Sequence, residues 1–151
     1  AFGEYEARQE VVISRILFFV EKHWNEIFRF SRRTTSSISR WASRYGYEKS
    51  GKEILEKAKK GSYGRYTAVN LNNYSTIEFR MFKGTLKYNS FIAALQFVDE
   101  ICKAAILYTD EEIDRQSWSQ FVQGIRYPEL IQYFKERDLY VNEKTSDEEE
   151  V

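Results

Sequence analysis

Between Ser75 and Phe82 the chain leaves a helical rhythm for a two-residue one. Ile77, Phe79 and Met81 fall on one side, and Thr76, Glu78 and Arg80 on the other, the pattern of a strand with unlike faces. Asn72-Asn73 just before it is turn chemistry, so Arg65 to Leu71 is expected to pair back as the other half of a hairpin. Loop length then decides which residues meet. A loop of even length centred on Asn72-Asn73 puts Arg65 and Thr67 on the face of Glu78 and Arg80, with Arg65 opposite Arg80. An odd-length loop brings Tyr66 and Asn70 onto that face instead. Two arginines facing each other across a strand pair call for a carboxylate or a bound anion between them. A Glu-Arg pair is equally at home on a solvated sheet face, and the pattern alone leaves both readings open.

Helices are expected on both sides of the hairpin. Val12, Ile13, Ile16, Leu17, Val20, Trp24, Ile27 and Phe28 recur at three- and four-residue spacing, which predicts one long helix, and Phe18 and Phe19 widen its apolar stripe into that of a central, multiply covered element. His23, the sole histidine, has no metal-ligand spacing around it and reads as a packed or surface residue. Ser31 to Ser37 holds small hydroxyl residues suited to a helix cap, with a helix predicted through Ile38, Trp41 and Tyr45 to Gly46. Arg32 and Arg33 stand at that joint as candidate phosphate contacts, because free backbone N–H groups at a helix start also favour anions. A short charged helix follows over Gly51 to Lys60. After the hairpin, Lys83-Gly84-Thr85 is expected to bend the backbone. The next helix is predicted to start from Asn89 or Ser90 and to turn Phe91, Leu95, Val98, Ile101, Cys102 and Ala105 to the core. Ser117 with Gln120 matches a capping box, and Pro128 opens a last helix whose apolar side is Leu130, Ile131 and Phe134.

These elements predict a helix-rich α+β fold, with long helices packed on an antiparallel hairpin or small sheet. With 151 residues, 42% of them hydrophobic, residues 1–140 suffice for one domain with a sizeable core. The acidic segment beyond Val141, Thr145 to Val151 above all, is expected to be disordered. A single cysteine excludes an intrachain disulfide and favours a reducing compartment. No apolar run is long enough to span a membrane, so no membrane association and a cytoplasmic setting are expected. The zero net charge hides a gradient: Arg29 to Lys60 carries ten Lys or Arg against three acids, and Val141 to Val151 five acids against one Lys. Gly-rich phosphate loops, dinucleotide-binding glycines, HExxH and CxxC patterns are absent from the chain.

Five stretches in order, AFGE (Ala1 to Glu4), FSRRT (Phe30 to Thr34), RWASRYG (Arg40 to Gly46), RYTAVNL (Arg65 to Leu71) and TIEFRMFKGTL (Thr76 to Leu86), resemble the amidoligase family. The catalytic domain of that family is similar to glutamine synthetase and to glutamate-cysteine ligases. The resemblance runs from Ala1 to about Tyr108. It implies ATP-dependent joining of a carboxylate to an amine through an acyl-phosphate, in a cleft whose carboxylates hold magnesium. On that resemblance Glu78 would be a Mg2+ ligand, Arg80 and Arg65 would act in catalysis, and Arg33, Arg32, Asn70 and Thr85 would contact the ATP or its phosphates. Members of the family carry further metal-binding glutamates and an HxH-type segment ahead of the AFGE-like stretch. The chain opens at Ala1, after those elements, and reads as a processed or truncated piece. The partner it implies is therefore the N-terminal half of the same domain or another subunit, with small-molecule or peptide carboxylate and amine substrates, and the chain alone is expected to be inactive. Two other readings stand beside it. One is a non-catalytic interaction domain. The other, less favoured, is a nucleic-acid module using residues 29–60 with Trp41, Tyr45 and Tyr47 as stacking surfaces.

Overall fold

The structure, a computed structural model, describes residues 2–61, 63–85 and 87–141. Among these, the elements in order are α1 (Ala7–Lys22), α2 (Trp24–Ser31), α3 (Thr35–Trp41), α4 (Gly51–Lys60), β1 (Val69–Asn70), β2 (Glu78–Phe79), α5 (Tyr88–Leu107), α6 (Asp110–Arg115), α7 (Trp118–Gln123) and α8 (Pro128–Glu136). The α+β expectation holds at this coarse level, a helix-rich chain with one two-stranded antiparallel sheet. None of the described helices is long and apolar enough to cross a membrane. The acidic stretch Thr145 to Val151 lies outside the described residues.

α1 is the central element. Glu6 and Gln9 close its N-terminus as a capping box, and Ile13 and Ile16 to Val20 are all buried. α4, α5 and α6 pack around it. The α4 contact is close enough that a β-carbon on Gly51 would collide with the Ser14 carbonyl. Lys22 donates its ammonium to the carbonyls of Ile113, Asp114 and Gln116, so a cation of α1 caps the C-terminal end of α6. The single long helix expected from the apolar period is in fact two. His23, at φ −103° and ψ 30°, closes α1 and opens α2, and the apolar stripe runs on across the break because Ile27 and Phe30 remain buried. The predicted helix to Gly46 is also shorter, ending at Trp41. Beyond it Ser43 pairs with the chain at Thr67, donating its N–H to the Tyr66 carbonyl at 3.0 Å and accepting from the Ala68 N–H at 2.7 Å. A backbone used in that pairing is not available for helix. Tyr45 then inserts into the core, its hydroxyl donating to the Val69 carbonyl at 2.7 Å.

On α5 the core side matches the expected one at Ile101 and Ala105, with Cys102 packed against it, and departs from it toward the N-terminus. Ala93, Phe97, Ile101, Ala104 and Ala105 are buried, whereas Phe91 and Leu95 are 52% and 53% exposed. The N-cap is Lys87, two to three residues ahead of the expected cap at Asn89 or Ser90. It carries apolar residues on two stripes, so spacing alone does not choose between them. The stripe with three alanines lets α1 and α8 approach closely, and Phe97 fills the space they leave. Phe97 lies 4.5 Å from the Phe30 ring, 5.6 Å from Phe134 and 5.9 Å from Trp118, centroid to centroid. α6 has no apolar period to announce it, but its Thr109/Glu112 capping box is plain in the sequence. The capping box at Ser117 and Gln120 and the proline-led α8 form as expected.

The hairpin adopts the odd register. Val69 faces Phe79 and Asn70 faces Glu78, with the Arg80 N–H donating to the Ala68 carbonyl at 2.7 Å. The loop is therefore centred on Tyr74, and Asn72-Asn73 do not form the turn; neither has positive φ. The cause lies outside the hairpin. Gly3 N–H donates to the Leu71 carbonyl and Glu4 N–H to the Tyr74 carbonyl, while the Tyr5 hydroxyl sits within hydrogen-bond distance of the Leu71, Asn73 and Thr76 carbonyls. The N-terminal segment thus satisfies the carbonyls of a wide loop that an Asn-Asn turn would have closed locally.

Candidate functional site

The odd register decides which polar residues meet. Asn70 lies buried directly across from Glu78. The Glu78 side chain is 46% exposed and accepts from the Arg80 guanidinium at 2.9 Å. Arg80, 25% exposed in its side chain, also donates Nε–H to the Trp41 carbonyl at 3.4 Å and lies 5.1 Å from the centroid of the Tyr66 ring. Arg65 stacks at 4.9 Å on the same ring and donates to the Tyr66 hydroxyl at 2.8 Å. Trp41 meets Tyr66 edge-on, at 5.3 Å. Two guanidiniums, one carboxylate and one buried amide therefore share a face organised by Tyr66. Even pairing would have set Arg65 opposite Arg80, and that arrangement does not occur. Tyr66 was foreseeable only as part of the odd-register alternative, and Trp41 only as a generic stacking surface.

Electrostatics on this face follow from those contacts. The Arg80 hydrogen bond is the main reason Glu78 is held below the ordinary carboxylate range, with smaller help from the Arg80 charge, Asn70 and Arg65. Arg65 is shifted upward, first by its bond to Tyr66 and in lesser part by Glu78. Glu78 is thus ionised, and one positive charge in excess remains on the face.

Arg33 has another task. Its Nε donates to the Met81 carbonyl at 3.1 Å, its Nη2 to the Arg80 and Phe82 carbonyls at 3.2 and 3.3 Å, and its Nη1 to Ser37 Oγ at 3.0 Å. Burial, then the nearby Arg80 charge, pushes it down from its ordinary value. The guanidinium fork is spent on three main-chain carbonyls and Ser37, so Arg33 positions the segment after β2 that carries Arg80. Arg33→Ala is expected to lower stability by about 2 kcal/mol, from the loss of several charge-assisted bonds to partly buried carbonyls. Arg33→Lys should recover little of it, since an ammonium cannot span that fork; urea midpoints of the two variants check this.

Arg32 and Thr85 lie elsewhere again. Arg32, left-handed at φ 62°, ends α2. Together with Thr85 it lines a cavity of about 350 Å³, along with Phe30, Phe82, Lys83, Lys87, Ser90, Ala94 and Tyr133. The residues expected around one ligand are therefore divided between the hairpin face (Arg65, Asn70, Glu78, Arg80) and this cavity (Arg32, Thr85), with Arg33 tied to the backbone of 80–82 that joins them.

Neither a family model, nor a curated protein, nor a solved structure matches the chain.

The site must then be judged on its own chemistry. Among the described residues no group of three or more His, Cys, Asp or Glu side chains is placed to hold a metal ion. Glu78 offers one carboxylate, already bonded to Arg80. A hard divalent cation takes six or more oxygen ligands and tolerates no guanidinium among them, so the residues at this face do not by themselves fit Mg2+. They do fit an anion, because Arg65 is exposed and Arg80 partly so.

Proposed function

We propose that this chain is the C-terminal part of an amidoligase-like, ATP-dependent carboxylate-amine ligase. Its hairpin face would be the anion-binding wall of the cleft. The observation that carries this reading is the pair Arg65 and Arg80, both seated on Tyr66 and flanking Glu78. In a ligase of this class a substrate carboxylate takes a phosphoryl group from ATP, and an amine then displaces phosphate from the acyl carbon. Both stages place negative charge on oxygens that fixed guanidiniums neutralise. Arg80, anchored by Glu78 and the Trp41 carbonyl, is preorganised for that task, and Arg65 supplies the more exposed charge. On this reading the hairpin and its supporting helices are one part of a glutamine synthetase-like fold. The remaining carboxylates for magnesium come from the N-terminal half of the domain or from another subunit, which is the partner the proposal requires.

ATP titrated calorimetrically into the chain, without divalent cations, tests the proposal. Arg65→Ala with Arg80→Ala is expected to weaken binding at least about tenfold, the worth of one charge-assisted contact, with the thermal midpoint little changed. Glu78→Gln is expected to tighten it, since a repelling charge is removed. Undiminished affinity in the double arginine variant would overturn the reading.

A further inference from the structure

The cavity beside Arg32 has a chemistry of its own. Arg32, Lys83 and Lys87 stand around it, and no carboxylate lines it. None of the three forms an ion pair with a described acidic side chain, in a chain whose acids and bases are equal in number. Cations gathered without counter-charge repel one another unless an anion joins them. Thr85 and Ser90 add hydroxyls to the same rim. Thr85 Oγ1 accepts from the Lys87 N–H at 3.1 Å, which leaves its hydroxyl hydrogen available to a ligand. The inner wall is of the opposite kind. Phe30, Phe82, Ala94 and Tyr133 form it; the Tyr133 hydroxyl donates to the Phe30 carbonyl at 2.8 Å and takes a hydrogen bond from the Arg32 side chain, which ties that cation to the wall. Phe30 and Phe82 meet edge-on at 5.4 Å, so the wall is a fixed aromatic surface. The volume lies in the usual range for small-molecule sites, about 300 to 1,000 Å³.

We propose that this cavity binds a small phosphate monoester with a flat apolar group, its phosphate held by Arg32, Lys83 and Lys87 and its body laid against Phe30, Phe82 and Ala94. Phosphate suits the rim because three cations and two hydroxyls can share its oxygens. A flat body suits the wall because aromatic faces and a small residue leave a slot rather than a bowl. The proposal does not depend on the ligase reading. It concerns other residues, and hairpin variants leave it untouched.

Phenyl phosphate and inorganic phosphate, titrated into the full chain and followed by calorimetry, provide the test. Phenyl phosphate is expected to bind, and more tightly than inorganic phosphate by about tenfold or more, the gain from removing an aromatic ring from water. Measured in the Arg65→Ala, Arg80→Ala background, where the hairpin face offers no guanidinium, Lys83→Ala with Lys87→Ala should weaken phenyl phosphate at least about tenfold. Both lysines are exposed, so these variants fold. Equal affinity for the two probes would overturn the apolar half of the site. Undiminished binding on adding the two lysine substitutions to that background would overturn the cavity as the place of binding.

Discussion

Replacing Phe97 by alanine is expected to cost about 4 kcal/mol of folding free energy, in the range for a buried phenyl group that leaves a cavity behind. Phe97 is 0% exposed and packs on Phe30, Phe82, Trp118, Phe121 and Phe134. Edge-on and tilted ring pairs of this kind add to the burial term. The surrounding rings come from α2, the segment after β2, α7 and α8, so the void cannot close by a shift of one element. Phe91→Ala on the same helix removes an identical group from a half-exposed site, and about 1 kcal/mol or less is expected. Urea midpoints of the two variants, compared at equal slope, decide which stripe of α5 holds the core. Similar losses would reject the assignment.

The second large effect is a loss of stability in mild acid that traces to His23. The imidazole is 3% exposed, between Phe19 and Trp118, and its Nε2 has no hydrogen-bond partner among the described residues. Burial first, and the Lys22 charge second, lower its pKa from the ordinary 6.5 to about 4. The unfolded chain therefore takes up a proton near pH 6.5, while the folded chain resists until about pH 4. Between those values the unfolded state binds more protons, so stability falls as pH falls. The contribution is whole above about pH 6.5 and is lost progressively toward pH 4, and it amounts to about 3 kcal/mol for a shift of this size. His23→Phe is expected to flatten the stability profile across that interval relative to the parent chain. Parallel profiles for parent and variant would show that some other group governs the acid response.

His23 also shows where sequence patterning ends. Its neighbours Ile16, Val20 and Ile27 keep helical spacing, so the helix break at His23 is silent in the period. The break allows the chain to redirect between α1 and α2 while both keep their apolar sides inward. The α5 stripes pose the same difficulty in another form. Phe91 and Leu95 match the helical period as well as Ala93 and Phe97 do, and only the close approach of α1 and α8 selects the second set. Caps, in contrast, are local chemistry. Ser117/Gln120 and Pro128 state their helix starts outright, as Thr109/Glu112 does for α6.

For the candidate site the division is similar. The two-residue alternation around Glu78 and Arg80 is a property of the strand, and by itself it established a polar side and an apolar one. The period of the side chains along the chain also established the central place of α1 and the helix-rich α+β character. The partners of Glu78 were not determined there. The register depends on Gly3, Glu4 and Tyr5 bonding a loop some seventy residues away, and the same tertiary contact sets Asn70 opposite Glu78 and brings Tyr66 beneath two arginines. It was likewise the three-dimensional packing that turned Arg33 to the backbone and Arg32 to a separate cavity. Local rules govern what a residue can do along its own element; which residues face each other depends on hydrogen bonds between distant segments, and no spacing within one segment records them.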